Sequence, residues 1–184
     1  ADAQGGMWLG TYFGGLNYYH PLKNRFKHLK QIPYHNSLND NVVSCIVEDK
    51  DKNIWIGTND RGLNLYNPNT KVFTHYMLQE GSPSRIASKK IKAVYIDEKN
   101  DLVYIGTHTG GLSVLHRKSK QVNHYTPKSC NLTDENVYAI LPGDNNTLLL
   151  GTLNGLVLFD PQKKEFHPIP PDNQGNKIKN NRIT

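Results

Sequence analysis

Long apolar runs are missing from this chain. No stretch approaches the roughly 18 residues that a membrane-crossing helix needs, so the segment is expected not to insert in a bilayer by that route. No segment sustains a helical period of apolar residues either, which argues against a helical domain. Cysteine is scarce, with two in 184 residues, and Cys45 and Cys130 admit one pairing or two free thiols but no disulfide framework. The apolar share of 36% and aromatic share of 9% are lean, compatible with a core of short strands. The net charge is +6, but the lysines are scattered through turns (Lys23, Lys50, Lys71, Lys118, Lys163). A nucleic-acid surface needs a basic stripe interleaved with stacking aromatics, and none is legible, so no nucleic-acid partner is expected. Gly-x-Ser-x-Gly, His-Glu-x-x-His and phosphate-loop patterns are also lacking.

What the chain has is repetition. Met7-Trp8-Leu9-Gly10-Thr11 returns as Ile54-Trp55-Ile56-Gly57-Thr58, Val103-Tyr104-Ile105-Gly106-Thr107 and Leu148-Leu149-Leu150-Gly151-Thr152. The Gly-Thr glycines lie 47, 49 and 45 residues apart. A Gly-Leu follows each time, at Gly15, Gly62, Gly111 and Gly155, and then a turn: His20-Pro21, Asn67-Pro68, His116-Arg117, Asp160-Pro161. A short run containing Phe26, Phe73, Val122 or Phe166 comes next. Upstream stands another element, Val43–Ile46, Ile91–Val94 and Val137–Ile140.

Each unit therefore holds four short strand candidates rich in β-branched and aromatic residues and punctuated by Gly, Asn, Asp and Pro. Four strands per unit of 45–49 residues, repeated, predict an all-β propeller of about four blades of four antiparallel strands. One partial propeller is expected over 1–184, with repeats at about 2–40, 41–88, 89–134 and 135–178, and 179–184 opening a further blade. Asp2–Gly6 matches Asp49–Asn53, so the first blade is expected without its first strand, and the whole reads as part of a longer propeller.

The segment Asp49 to Leu63, Asp-x-x-x-Asn-Ile-Trp-Ile-Gly-Thr-x-x-x-Gly-Leu, resembles the two-component regulator propeller repeat, and the likeness extends over all four copies. The last copy departs, with Leu149 for Trp and Gly143 for Asp. WD and kelch repeats place their signature residues differently. The resemblance implies a seven-bladed propeller in the periplasmic sensor region of a hybrid two-component system, a single chain of an inner-membrane protein in Gram-negative gut bacteria. It further implies a β-sandwich, membrane helix, histidine kinase, receiver and DNA-binding domain downstream, and oligosaccharides as signals. The chain itself carries no kinase motif.

Repetition also accounts for residues that invite chemistry. His28, His75 and His124 each stand 18 residues after their Gly-Thr glycine, hence on separate blades, and no metal site or cofactor is expected. Asp2, Asp49 and Asp97 recur at one turn, where a carboxylate accepts from backbone amides, and no catalytic residue is expected. Function should then lie in the variable loops. The loops between second and third strands mix aromatic, amide, acidic and guanidinium groups, suiting a sugar's apolar face and hydroxyls. The candidate binding residues are Tyr12, Phe13, Asn59, Asp60, Arg61, His108, Thr109 and Asn154. The loops joining successive blades, Leu29 to Asn41, Met77 to Lys90, Thr126 to Asn136 and Pro168 to Asn180, share that rim. An oligosaccharide-binding sensor segment is the expected function. A scaffold for dimerisation or domain packing, and a propeller lyase or hydrolase, are the alternatives. Expected partners are the oligosaccharide, the remaining blades and a second copy.

Overall fold

The computed structural model describes residues 2–3, 5–20, 23–77 and 85–169. Among the described residues it is an all-β propeller section of fifteen strands in four antiparallel sheets. Blade 1 holds β1 (Met7–Thr11), β2 (Gly15–His20) and β3 (Lys23–Leu29). Blade 2 holds β4 (Val43–Glu48), β5 (Ile54–Thr58), β6 (Leu63–Asn67) and β7 (Val72–Tyr76). Blade 3 holds β8 (Ile91–Asp97), β9 (Leu102–Thr107), β10 (Leu112–His116) and β11 (Val122–Tyr125). Blade 4 holds β12 (Val137–Pro142), β13 (Leu148–Thr152), β14 (Gly155–Asp160) and β15 (Glu165–Pro168). Strands pair in chain order, and blade 1 has three strands rather than four because β1 corresponds to β5, a second strand. The expected start of a further blade at 179–184, like most of the loop from Pro168 to Asn180 and part of that from Met77 to Lys90, lies outside the described residues.

The repeated motif is explained atom by atom. A methyl added to Gly57 would stand 2.7 Å from Ile91 Cγ2, on the first strand of the next blade; at Gly106 it would stand 2.7 Å from the Val137 carbonyl. The Gly-Thr glycine is therefore a point of close approach between neighbouring sheets. The threonine hydroxyl donates to the carbonyl of the Gly-Leu glycine in every blade: Thr11 to Gly15 at 3.1 Å, Thr58 to Gly62 at 2.7 Å, Thr107 to Gly111 at 2.9 Å, Thr152 to Gly155 at 2.7 Å. That glycine turns at φ +75°, +88°, +68° and +100° in the four copies, a left-handed conformation most side chains oppose.

The core lies between sheets, as three apolar layers. Leu16, Leu38, Ile54, Ile56, Tyr66 and Phe73 join blades 1 and 2. Trp55, Leu63, Tyr76, Ile86, Ile91, Val103 and Ile105 join blades 2 and 3. Tyr104, Leu112, Leu132, Val137, Leu148, Leu150 and Phe159 join blades 3 and 4. Leu38, Ile86 and Leu132 each stand five residues before the next first strand's Val43, Ile91 or Val137, so every inter-blade loop lowers one apolar plug into its layer.

Alternation along the second strands sends one set of side chains back and the next forward. Trp55 and Tyr104 are 1% exposed against the following blade. Trp8 and Leu149, at the same repeat position, are only half-buried. For Leu149 the reason is position: its sheet is the last described, so no following blade covers it. A second difference is a 3₁₀ turn at Asp144–Asn146, where Gly143 stands in place of the turn aspartate.

Candidate functional site

All four second-to-third-strand loops and the inter-blade loops share one end of the blades, as antiparallel connectivity requires. This rim is stitched together by backbone bonds. Gly15, Gly62 and Gly111 N–H donate to Asn41, Lys89 and Glu135 carbonyls of the loop that follows their blade, at 2.8, 2.8 and 2.7 Å. Asn59 and His108 N–H donate to Val42 and Lys90 carbonyls of the loop that precedes it, at 3.0 and 2.9 Å. Each rim loop in blades 2 and 3 is thus fixed from both sides. Side chains add to this: Asp40 accepts from Val42 N–H at 3.2 Å and Asp60 N–H at 3.0 Å, and Ser88 donates to the His108 carbonyl at 2.7 Å.

The inner edge of the rim carries a feature that the candidate residues did not include. The first strands β4, β8 and β12 each have a register shift, between Val43 and Cys45, Ile91 and Ala93, and Val137 and Ala139. A bulge re-aims the extra residue, here Ser44, Lys92 and Tyr138. First strands of neighbouring blades pack on one another, so these residues fall on adjacent inner strands. Lys92 Nζ donates to Asn59 Oδ1 at 2.8 Å and lies 5.9 Å from the Tyr138 ring centroid. Tyr138 Oη is 3.0 Å from His108 Nδ1. Asn59, Lys92, Tyr138 and His108 thus form one polar and cation–π chain across blades 2, 3 and 4. The signal was present in sequence: one column reads Ser, Lys, Tyr while its neighbours stay apolar or small.

Of the candidate residues, Asn59 and His108 are joined by this chain. Thr109 N–H donates to Asn136 Oδ1 at 3.1 Å and lines a 580 Å³ groove with Thr126, Lys128, Thr133, Asp134 and Glu135. Tyr12 and Phe13 form a separate exposed pair on blade 1, edge to face with ring centroids 4.4 Å apart. Asp60 and Arg61 are exposed and form no ion pair with each other among the described residues; the Arg61 carbonyl accepts from Asn39 Nδ2 at 2.7 Å. Asn154 is exposed on blade 4, its N–H donating to Thr152 Oγ1 at 3.1 Å.

The titratable groups that recur with the repeat have structural partners. Asp49 accepts from Asn53 N–H at 2.9 Å and from Trp55 Nε1 at 3.1 Å, and Asp2 accepts from Gly6 N–H at 2.8 Å and Trp8 Nε1 at 2.9 Å. Asp97 accepts from Lys99 and Asn100 N–H. His75 and His124 stand on separate sheets beside Asn64 at 2.9 Å and Ser113 at 3.1 Å. Both cysteines are free, and burial pushes the Cys45 thiol up to about 11, leaving it protonated and inert near neutrality.

The architecture and its repeat define a class, the β-propeller built of four-stranded antiparallel blades. Residues 37–60, covering the end of one inter-blade loop, β4, β5 and the start of the rim loop, match the two component regulator propeller family. No curated protein matches the chain. The fold is similar to the extracellular domain assigned to the hybrid two component system BT3049 of B. thetaiotaomicron, with 27% identity and TM-score 0.77 over 90% of this chain and 22% of that one. It is also similar to the extracellular domain assigned to the one component system BT4673 of the same organism, with 24% identity and TM-score 0.75 over 97% and 23%. An ancestral GH74 enzyme shares the fold at 14% identity and TM-score 0.66, over 95% and 24%. The chain spans less than a quarter of the length of each.

Proposed function

We propose that this chain supplies blades to the extracytoplasmic sensor propeller of a two-component signalling receptor, and that its rim takes an oligosaccharide. The regulator-type repeat and the likeness to extracellular domains of such systems support the sensor reading and a periplasmic location, with the parent anchored in the inner membrane and signalling through a histidine kinase. The observation that carries ligand binding is the Asn59–Lys92–Tyr138–His108 chain, which presents an amide, an ammonium, a phenol and an imidazole along neighbouring inner strands and the rim loops beside them. Such groups, fixed in advance by the stitched rim, pair with sugar hydroxyls at low ordering cost. Tyr12 and Phe13 offer a ring face to the apolar side of a pyranose. Binding signals only if it favours one receptor arrangement over another. We assign the segment no catalytic role: the recurring turn carboxylates Asp2 and Asp49 cap backbone and indole N–H groups.

Calorimetric titration of an oligosaccharide panel into the complete extracytoplasmic region tests this. A saturable heat for one member, weakened at least about tenfold by Lys92→Ala and by Tyr138→Ala, is expected. Saturable binding untouched by both substitutions places the site elsewhere. No heat from any member leaves the scaffold reading, which the exposed apolar Met7, Leu9 and Leu141 favour.

A further inference from the structure

At the end of the blades opposite the rim, between blades 1 and 2, lies a 340 Å³ cavity, within the size range of small-ligand sites. Its wall is aromatic. Trp8 tilts against Tyr18 with ring centroids 4.6 Å apart and meets Tyr66 edge-on at 6.0 Å. Ile54 and Pro68 add apolar surface, and charged or polar groups complete the lining, among them Lys52, Lys71, Glu48 and Asn69.

The same place between blades 2 and 3 is filled by the protein itself. Arg117, in the turn after β10, ion-pairs with Asp49 at 3.3 Å, Asp51 at 3.1 Å, Glu98 at 2.7 Å and Asp101 at 3.4 Å, and its side chain is 11% exposed. The repeat sets Pro68 where Arg117 stands, and Asp2 where Asp49 stands, each carboxylate holding its own indole N–H. Proline cannot reach across, so the clasp of one interface becomes a cavity at the other. The charge changes too: Glu98 and Asp101 of the clasp give way to Lys50 and Lys52 in the corresponding turn of blade 2. A ligand cation in Arg117's place would find two carboxylates, both engaged. Asp2 accepts from Trp8 and Gly6, and Glu48 accepts from Lys52 Nζ at 3.2 Å and Ala3 N–H at 3.4 Å. Lys71, by contrast, makes no side-chain bond among the described residues.

We propose that this cavity is a second binding site, separate from the rim, for a small hydroxylated ring bearing one carboxylate, of the hexuronate class. The ring's C–H face lies on Trp8 and Tyr18, its carboxylate pairs with Lys71, and its hydroxyls bond Asn69. This site does not depend on the rim binding anything.

Trp8 reports on it directly, because the chain's other tryptophan, Trp55, is 1% exposed. The chain is titrated at constant ionic strength with glucuronate, glucose and benzoate while tryptophan emission is followed. Glucuronate is expected to give a saturable change with half-saturation at about 1–10 mM, the range for one charged ring making few contacts. Glucose and benzoate are expected at least about tenfold weaker. Lys71→Glu should weaken glucuronate at least about tenfold, and Pro68→Arg, which rebuilds the side chain that fills the neighbouring interface, should abolish the change without lowering the melting temperature. No saturable response to glucuronate, or Lys71→Glu and Pro68→Arg binding as the unsubstituted chain does, overturns the site. Equal response to glucose overturns the charge requirement, and equal response to benzoate overturns the hydroxylated ring.

Discussion

One repeat position shows how burial, not residue type, sets the energetic role of a side chain. Trp55 is enclosed between sheets, stacks on Tyr76 with centroids 5.7 Å apart, and has its N–H held by Asp49. Trp55→Ala should cost about 3–5 kcal/mol, the transfer loss plus the cavity. Leu149, its counterpart in blade 4, is half-buried, so Leu149→Ala should cost only about 1 kcal/mol. Denaturant melts of the two variants check this, and equal losses would contradict the layer geometry. Two histidines add a pH dependence. Burial lowers the pKa of His75 and of His124, the latter also through Arg85. A group whose folded-state pKa lies below its unfolded value leaves stability intact above the unfolded pKa and removes it as pH falls through the folded one, because the unfolded chain then binds the proton better. The melting temperature should therefore fall between about pH 7 and pH 5, and the double variant His75→Gln, His124→Gln should flatten that slope.

At the scale of the strand and its turn, the constraint is the left-handed glycine. Gly62 sits at φ +88°, and an added methyl would collide with the Tyr76 carbonyl and come within 2.9 Å of Ile86 Cδ1, the plug of that layer. Gly62→Ala should therefore cost more than about 1 kcal/mol, read by thermal or denaturant unfolding, whereas alanine at an open, negative-φ glycine would be neutral or better. Such positions made the blades legible: Gly-Thr, Gly-Leu and the Asp–Trp spacing recur because sheet approach, hairpin closure and indole capping recur. The plug residues were legible in principle through their constant spacing from the next strand. Elements that depend on a single copy were not. Nothing local in Gly143 announces a 3₁₀ turn. The column of Ser44, Lys92 and Tyr138 does recur in the sequence, but the bulge that re-aims these side chains arises from pairing between strands, which the order of residues along one strand does not display. The candidate site was half legible for the same reason. The rim loops could be found by their variability, but the link from Asn59 to His108 runs through bulge residues on other strands.

Across the whole molecule, the layers between blades are directional. The trailing side of a blade presents the Trp55 or Tyr104 column with its partner on the first strand, Val47 or Tyr95; the leading side of the next presents the Ile54 and Ile56 or Val103 and Ile105 column. Blade 1 turns its leading column, Met7 at 54% and Leu9 at 52% exposed, toward no described neighbour. Blade 4 does the same with its trailing pair, Leu149 and Leu141, the latter 57% exposed. These surfaces are the two halves of the interface formed three times within the chain, so they are complementary to each other rather than to themselves. A second copy can therefore dock head to tail, in a heterologous arrangement that extends the arc. Apolar surface on this scale favours association, and the chain alone should show concentration-dependent self-association in sedimentation velocity. Leu9→Lys and Leu141→Lys, each placing a charge in one half of the interface, should each suppress it, and mixing the two variants should restore pairwise but not extended association, since one intact half remains on each. A monomer across the concentration range, or association indifferent to both lysines, would show that the exposed columns are not what brings copies together.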